Sequence, residues 1–361
     1  MTHPVAPPPV RFESSLGGWA VSTAAEARRV LADEEAFSTT AYRQVGGDLA
    51  GTRAFLAADS AAHSRLRRVL ASAMSQAWVS RVERDTLDPL AEAGARALDP
   101  GEADLAAEYA RPYARKALFA VTGIDATAGD ELLAALRFAH DRFDEAGRNS
   151  ETGLAAVSIA RRIAAEALVG PTADPTTLRS RLYAAEALSA DEQVLCLLPL
   201  FETLAIGADR DLPISLVLRI GALDPAAQAL ATSSPARIQA AAHEAVRLQT
   251  GATIPRFARR DVTLAGESIP AGSLVFVLLD RVGCDPALFD NAGEFDPSRA
   301  NLGRHPGFGA GPHSCVGRRF AIALAGACVR ALVRRFEIDL ARPSTVARLS
   351  PRSRRPTQGD A

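Results

Sequence analysis

The sequence predicts a mainly α-helical fold with one minor β region. Residues 59–204 are dominated by alanine, leucine, arginine and glutamate, with few β-branched runs, and this composition favours helices. The later segment "RFARRDVTLAGESIPAGSLVFVLL" alternates in polarity and contains glycine turns, which predicts a β-meander. The chain has 361 residues, of which 48% are hydrophobic, so it is long enough to bury a large core.

The N-terminal region predicts a disordered lead-in followed by a helix. The first ten residues, 1–10, are rich in proline and carry no basic, apolar signal pattern. The next segment, "STAAEARRVLADEEAFS", begins with Ser22, and Glu26 lies near the third helical position. That spacing predicts a helix that begins with a capping box.

A second capping box is predicted at Ser189 and Glu192, where a long apolar segment begins. Residues 189–223 are predicted to form one long buried helix. Pro199 and Pro213 lie inside this helix, and each is expected to kink it because proline removes a backbone hydrogen bond.

Composition excludes several classes of protein. The net charge of -1 gives no reason to expect a nucleic-acid partner. The four cysteines are far apart and lack CxxC spacing, which argues against a disulfide framework or a cysteine-rich zinc site. No apolar run is long enough for a membrane span, so we expect a cytoplasmic protein without a membrane partner.

A glycine-rich loop, "GFGAGPHSCVGRRFA", surrounds a single cysteine, Cys315. The residues alone allow a buried structural cysteine, a nucleophile or a metal ligand. Gly309, Gly311 and Gly317 free the backbone to approach a planar partner, and the helix that follows favours a thiolate at its N-terminus. With no clustered ligands nearby, a metal at this sulfur must bring its own ligands, as heme does.

The pattern from Phe308 to Gly317, FGxGxHxCxG, resembles the heme-binding loop of the cytochrome P450 family position for position. The resemblance implies heme b with Cys315 as its axial ligand, Phe308 over that ligand, Gly317 beside it and His313 on a propionate. It also implies a single P450 domain over residues 1–361. The domain is expected to be shortened at both ends, with a loose tail from about residue 345.

The sequence "HEAVRL" contains Glu244 and Arg247, spaced as an acid–arginine pair on one helix face. Alone, such a pair indicates a surface ion pair. The P450 resemblance implies instead a structural triad, completed by Arg299 in "FDPSR", that holds the coil before the heme loop.

The sequence "HSRLR" places His63 and Arg67 four residues apart, and therefore on one helix face. Alone, this spacing indicates a solvated basic face. The resemblance implies that both residues, together with Arg256 and His313, bind the two heme propionates. Four donors for two carboxylates agree with the need to compensate buried charge.

The chain departs from the family in the predicted long helix, where an acid–threonine pair normally relays protons. Counting back from Glu244 places Ala208 and Asp209 at those positions, or Asp209 and Arg210 if one gap is allowed. A third register uses Thr203 but requires an insertion. Asp209 and Arg210 are therefore the candidate catalytic residues, as a proton donor and a contact for a substrate carboxylate.

The resemblance implies a monooxygenase that oxidises a small hydrophobic molecule, in secondary metabolism, with electrons from a ferredoxin and its reductase. Basic residues are expected to face the ferredoxin: Arg65, Arg68, Arg318 and Arg319. One alternative is a peroxide-using or oxidative-coupling P450 in which Arg210 and Asp209 contact substrate. Another is a non-catalytic P450-like protein that carries heme or assists a partner enzyme.

Overall fold

Helices make up most of the chain, as the sequence predicts. This structure, a computed structural model, describes residues 8–42, 61–142, 150–185, 188–205, 212–249, 253–340 and 345–352. Among the described residues, no helix is both long enough and apolar enough to cross a membrane.

The helices of the described residues are distributed along the whole chain. In chain order the helices are α1 (Ala24–Ala32), α2 (Ala61–Ala73), α3 (Gln76–Val82), α4 (Asp88–Arg96), α5 (Arg111–Thr122), α6 (Ala126–His140), α7 (Glu151–Ala167), α8 (Leu178–Tyr183), α9 (Ala190–Ala205), α10 (Leu212–Gly221), α11 (Pro225–Ala231), α12 (Pro235–Gln249), α13 (Leu279–Gly283) and α14 (Arg318–Arg335). Four helices have an N-cap side chain that accepts a hydrogen bond from a backbone N–H of the first turn. The capping residues are Asp125 for α6, Ser150 for α7, Thr177 for α8 and Asp224 for α11. Local sequence therefore fixes where these helices begin.

The capping box predicted at Ser22 is wrong, because α1 begins later and takes its cap from a distant residue. The Oδ2 atom of Asp285 accepts from the backbone N–H of Ala24 at 2.8 Å. The Ser22 hydroxyl instead donates to the carbonyl of Pro8, and Glu26 pairs with Arg29 on the same helix. A buried carboxylate thus ties the N-terminal helix to the C-terminal half of the chain.

The predicted long helix appears as α9 and α10, and residues 206–211 between them lie outside the described part of the chain. At the start of α9 the capping box forms as predicted. The Glu192 carboxylate accepts from the Ser189 N–H at 2.9 Å, and Ser189 Oγ accepts from the Glu192 N–H at 3.3 Å. Pro199 lies inside α9, and Pro213 lies in the first turn of α10.

The predicted meander forms, and it joins strands from the N-terminal region. The strands are β1 (Val10–Glu13), β2 (Gly18–Val21), β3 (Phe37–Ser38), β4 (Gly101–Asp104), β5 (Thr253–Ala258), β6 (Val262–Leu264), β7 (Glu267–Ile269), β8 (Leu274–Leu278), β9 (Phe336–Leu340) and β10 (Val346–Pro351). One sheet has the order β1-β2-β8-β5-β3, in which only β2 and β8 pair in parallel. β6 and β7 form a hairpin beside it.

Part of the predicted loose tail is ordered as a strand. β10 pairs antiparallel with both β9 and β4. Ala347 and Leu349 are buried while their neighbours on β10 are exposed, so the alternation expected of a half-buried strand extends beyond residue 345. Residues 353–361 lie outside the described part of the chain.

The helix that follows the Cys315 loop lies at the centre of the main core. α14 packs against α4, α10 and α12, and its buried side chains include Phe320, Ile322, Cys328 and Leu332. The loop therefore leads directly into the most deeply packed part of the fold, which fixes the start of the helix and the sulfur that precedes it.

Candidate functional site

The Cys315 loop is shaped by two glycines and closed by backbone hydrogen bonds. Gly309 and Gly311 have φ values of 70° and 68°, in the left-handed region that favours glycine. The N–H of Cys315 donates to the carbonyl of Phe308 at 2.7 Å. Gly317 then caps α14, so Cys315 lies three residues before Arg318, the first residue of the helix.

Neighbouring helices hold the loop from two sides. A Cβ atom on Gly311 would lie 2.5 Å from the carbonyl oxygen of Leu31 in α1, and one on Gly307 would lie 2.6 Å from Val246 in α12. Close approach therefore requires glycine at both positions, in addition to the left-handed φ of Gly311. The loop is fixed between the N-terminal helix and α12.

The Cys315 residue keeps accessible surface. Burial raises the pKa of the Cys315 thiol. The backbone N–H of Gly317 and the positive charges of Arg67 and Arg318 act in the opposite direction, because they favour the thiolate. A bound metal would complete this effect, since a coordinating thiol is deprotonated outright.

The structure brings together three of the predicted propionate partners. The rings of His63 and His313 stack with their centroids 3.8 Å apart. Arg67 donates to the carbonyl and the hydroxyl of Ser314 at 2.5 and 3.0 Å. Glu34, which has no recognisable signal in the sequence, places its Oε1 atom 2.9 Å from Nε2 of His313.

Arg256, the fourth predicted partner, lies on β5 and is only 3% exposed. Its Nη1 atom donates to the carbonyl of Pro255 at 2.9 Å. Ile254, on the same strand, has its Cδ1 atom 3.8 Å from the position of a Cβ on Gly309. β5 therefore reaches the Cys315 loop and brings a buried cation to it.

These residues fit a heme better than a metal held by protein ligands alone. Among the described residues, the three that could together chelate an ion are Glu34, His63 and His313, and Cys315 is not one of them. A metal bound by Cys315 must therefore carry its other ligands, as heme iron does. The arginines and histidines beside the loop match the two carboxylates of a heme.

The predicted triad is assembled and buried. Arg247 makes a bidentate ion pair with Glu244, with both hydrogen bonds at 2.6 Å and both side chains fully buried. Arg299 Nε donates to the same carboxylate at 3.0 Å. Arg247 also donates to the carbonyls of Gly283, Ala292 and Glu294. The three side chains thus connect α12 to the coil that precedes the Cys315 loop.

The predicted catalytic residues Asp209 and Arg210 lie outside the described residues, as does Ala208. Thr203, the threonine of the third register, is described on α9. Its hydroxyl donates to the carbonyl of Pro199 at 2.8 Å, four residues earlier on the same helix. This bond commits the hydroxyl proton to the backbone.

Of the four arginines predicted to face a ferredoxin, Arg318 and Arg319 are exposed at the start of α14. Arg68 is also exposed, whereas Arg65 makes an ion pair with Glu192. Arg65 and Arg68 line a groove of about 660 Å³ together with Arg181. Positive charge therefore lies at the N-terminal end of α14 and, separately, along the groove beside α2.

Comparisons with known proteins match these features. A family model described as Cytochrome P450 matches residues 238–353, which contain the triad, Arg256 and the Cys315 loop. Cytochrome P450 FAS1 of Rhodococcoides fascians is 28% identical over 349 residues, covering 90% of this chain and 84% of that protein.

Solved structures share the fold. A mutant of P450 EryK in complex with erythromycin B superposes with a TM-score of 0.79 at 22% identity, covering 98% of this chain and 95% of that chain. HmtT, involved in himastatin biosynthesis, gives a TM-score of 0.77 at 24% identity, covering 99% of this chain and 92% of that chain.

The buried triad leads to a prediction about stability. In Arg247→Leu the Glu244 carboxylate stays buried without its main partner, so we expect the free energy of unfolding to fall by about 3–5 kcal/mol. Arg299→Leu should have a smaller effect, because Glu244 keeps Arg247. The measurement is urea unfolding followed by circular dichroism, with Arg237→Leu, at an exposed position of α12, as the control. Equal stability of Arg247→Leu and Arg237→Leu would contradict the prediction.

Proposed function

We propose that this chain, which belongs to the cytochrome P450 superfamily, is a heme-thiolate monooxygenase that oxidises a small hydrophobic molecule in secondary-metabolite biosynthesis. The observation that carries the proposal is Cys315, a lone cysteine in a rigid loop at the start of a buried helix. The Cys315 thiolate would hold the iron of a bound heme, which would supply oxidation chemistry that favours O–O cleavage.

The roles of the residues in and around the Cys315 loop follow from this assignment. Cys315 holds the iron of a heme b, and the amide of Gly317 stabilises the sulfur charge. Phe308 covers the ligand and keeps water from the sulfur. His63, Arg67, Arg256 and His313 bind the propionates, and charge-assisted hydrogen bonds offset the burial of these carboxylates.

The similar structures support a substrate from secondary metabolism. Two of the similar structures are of a P450 solved with erythromycin B and of a protein involved in himastatin biosynthesis. The redox partners that we propose are a ferredoxin and its reductase.

Asp209 and Arg210 are proposed to act on the substrate side. Asp209 would take the proton-delivery role that threonine performs elsewhere in the family, and Arg210 would contact a polar group of the substrate. The Thr203 hydroxyl is already bonded to the Pro199 carbonyl, which favours Asp209 over Thr203 in this role. The second candidate function follows from the same sequence: a peroxide-using enzyme in which Arg210 binds a substrate carboxylate.

The heme-thiolate proposal is tested by absorption spectroscopy. The reduced protein with carbon monoxide should absorb at about 450 nm, and Cys315→Ala should lose that band because no thiolate remains to bind the iron. Cys284→Ala is the matched control and should keep the band. The proposal fails if Cys315→Ala retains the band at the wild-type intensity.

The choice between dioxygen and peroxide is tested by turnover. We expect oxidation to require dioxygen together with a reduced ferredoxin, because the proposed proton donor Asp209 serves dioxygen cleavage. Product is measured with each oxidant in the wild type and in Arg210→Ala. Turnover with peroxide alone that disappears in Arg210→Ala would overturn this expectation and support the second candidate function.

The ferredoxin surface is tested by charge reversal. The double variant Arg318→Glu/Arg319→Glu should slow reduction by an acidic ferredoxin on the order of tenfold at low ionic strength, because steering between opposite charges is lost. The difference should shrink with added salt. Arg334→Glu, at the other end of α14, is the control. Stopped-flow reduction rates that are equal for the three proteins would exclude this surface.

A further inference from the structure

A second histidine pair lies beside the Cys315 loop, separate from His63 and His313. Nδ1 of His243, on α12, is 3.0 Å from Nε2 of His305, which precedes the loop. The backbone N–H of Gly307 donates to Nδ1 of His305 at 3.1 Å. A chain of two hydrogen bonds therefore runs from the beginning of the loop to α12.

The direction of this chain is determined by its first donor. Because Gly307 donates to Nδ1 of His305, that nitrogen carries a lone pair and the proton of the neutral ring lies on Nε2. His305 therefore donates to Nδ1 of His243, and the His243 proton lies on its own Nε2. Both tautomers are fixed by backbone geometry, as long as both rings are neutral.

Both rings are neutral near neutral pH. Burial, followed by the nearby His243, Arg247 and Arg318, lowers the pKa of His305 to about 3. Burial and the charge of Arg318 also lower the pKa of His243. The positive charges of Arg247 on α12 and Arg318 on α14 therefore both oppose protonation of the pair.

The pair also contacts the aromatic residue of the loop. The ring of Phe308 lies edge-on to His243, with centroids 6.0 Å apart and an interplanar angle of 87°, and its centroid is 5.9 Å from that of His305. The Phe308 carbonyl is the acceptor for the N–H of Cys315. Movement of residues 305–308 would therefore be transmitted directly to the backbone of Cys315.

We propose that His243 and His305 are positioning residues for the thiolate ligand, because the hydrogen-bonded chain Gly307–His305–His243 anchors the start of the loop to α12. This inference rests on the proposed heme-thiolate function. The anchor is rigid because the next residue of α12, Glu244, belongs to the buried triad. The pair acts on Cys315 through Phe308 and makes no contact with the substrate in this role.

The test compares His243→Leu with His243→Asn. Leucine cannot accept the hydrogen bond from His305, whereas the Oδ1 atom of asparagine can replace Nδ1 as its acceptor. In His243→Leu we expect amide hydrogen exchange over residues 305–309 to become about tenfold faster, the loss expected for one hydrogen bond. His243→Asn should restore protection to near the wild-type rate.

The second readout is the spectrum and reduction potential of the heme-loaded protein. In the reduced protein with carbon monoxide, His243→Leu should lose several-fold more of the band at about 450 nm than the wild type does, with absorption at a shorter wavelength in its place. The reduction potential of its heme iron should also shift. His243→Asn should recover both properties. A wild type that lacks the thiolate band overturns the proposed function, and the exchange experiment then still tests the anchor. The inference is overturned if His243→Leu has the same amide exchange rates, the same thiolate band and the same reduction potential as the wild type.

The pair also predicts a dependence on acid. A histidine whose pKa is lowered in the fold binds a proton more readily when the chain unfolds. Its contribution to stability is therefore fully present above the ordinary histidine pKa of about 6.5 and is lost as the pH falls below that value. For His305 this loss extends to about pH 3. Loop protection should therefore decline below pH 6.5 in the wild type. It should decline less steeply in His305→Asn, and parallel profiles would contradict the pair's role.

Discussion

The site depends on one buried ion pair, Glu244 with Arg247. Both side chains are completely buried, and charges without access to water must be paired and fully hydrogen-bonded. The end of α13 supplies the carbonyl of Gly283, and the coil between α13 and the loop supplies the carbonyls of Ala292 and Glu294 and the N–H of Asp296. A Cβ on Gly283 would lie 2.1 Å from the carbonyl oxygen of Arg247, so only glycine permits the approach. The hydrogen bonds that the buried Arg247 and Glu244 charges require thereby set the path of the chain toward Cys315.

Local patterns in the sequence predicted the elements well because each pattern has a local physical cause. The capping box at Ser189 involves neighbouring residues, and the alternation of the meander reflects its own two faces. The Cys315 loop was recognisable for the same reason: its glycines, histidine and cysteine lie within one short segment. The triad was found only because the family resemblance linked Arg299 to a pair that would otherwise indicate a surface contact.

Contacts between distant segments that no family motif links leave no pattern in the sequence. Asp285 caps α1 although Ser22 has the local capping pattern, because the fold brings a buried carboxylate closer to the Ala24 amide. Glu34 reaches His313 for a similar reason, since Gly311 packs against the end of α1. The alternating pattern of β10 is too short to predict a strand by itself, and the strand forms because it pairs with β4 and β9.

The anchors of the Cys315 loop are more sensitive to substitution than the apolar core around them. The loop is held by Leu31 of α1, by Arg67 of α2 and, through His243, by α12. Each of these contacts depends on close packing or on directed hydrogen bonds, in which small displacements are costly. The buried side chains of α9 such as Leu197 and Phe201 are apolar, and apolar residues tolerate replacement by others of similar volume. Substitutions among the apolar core residues of α9 can therefore be accommodated without moving the sulfur, whereas substitutions at the anchors would displace it.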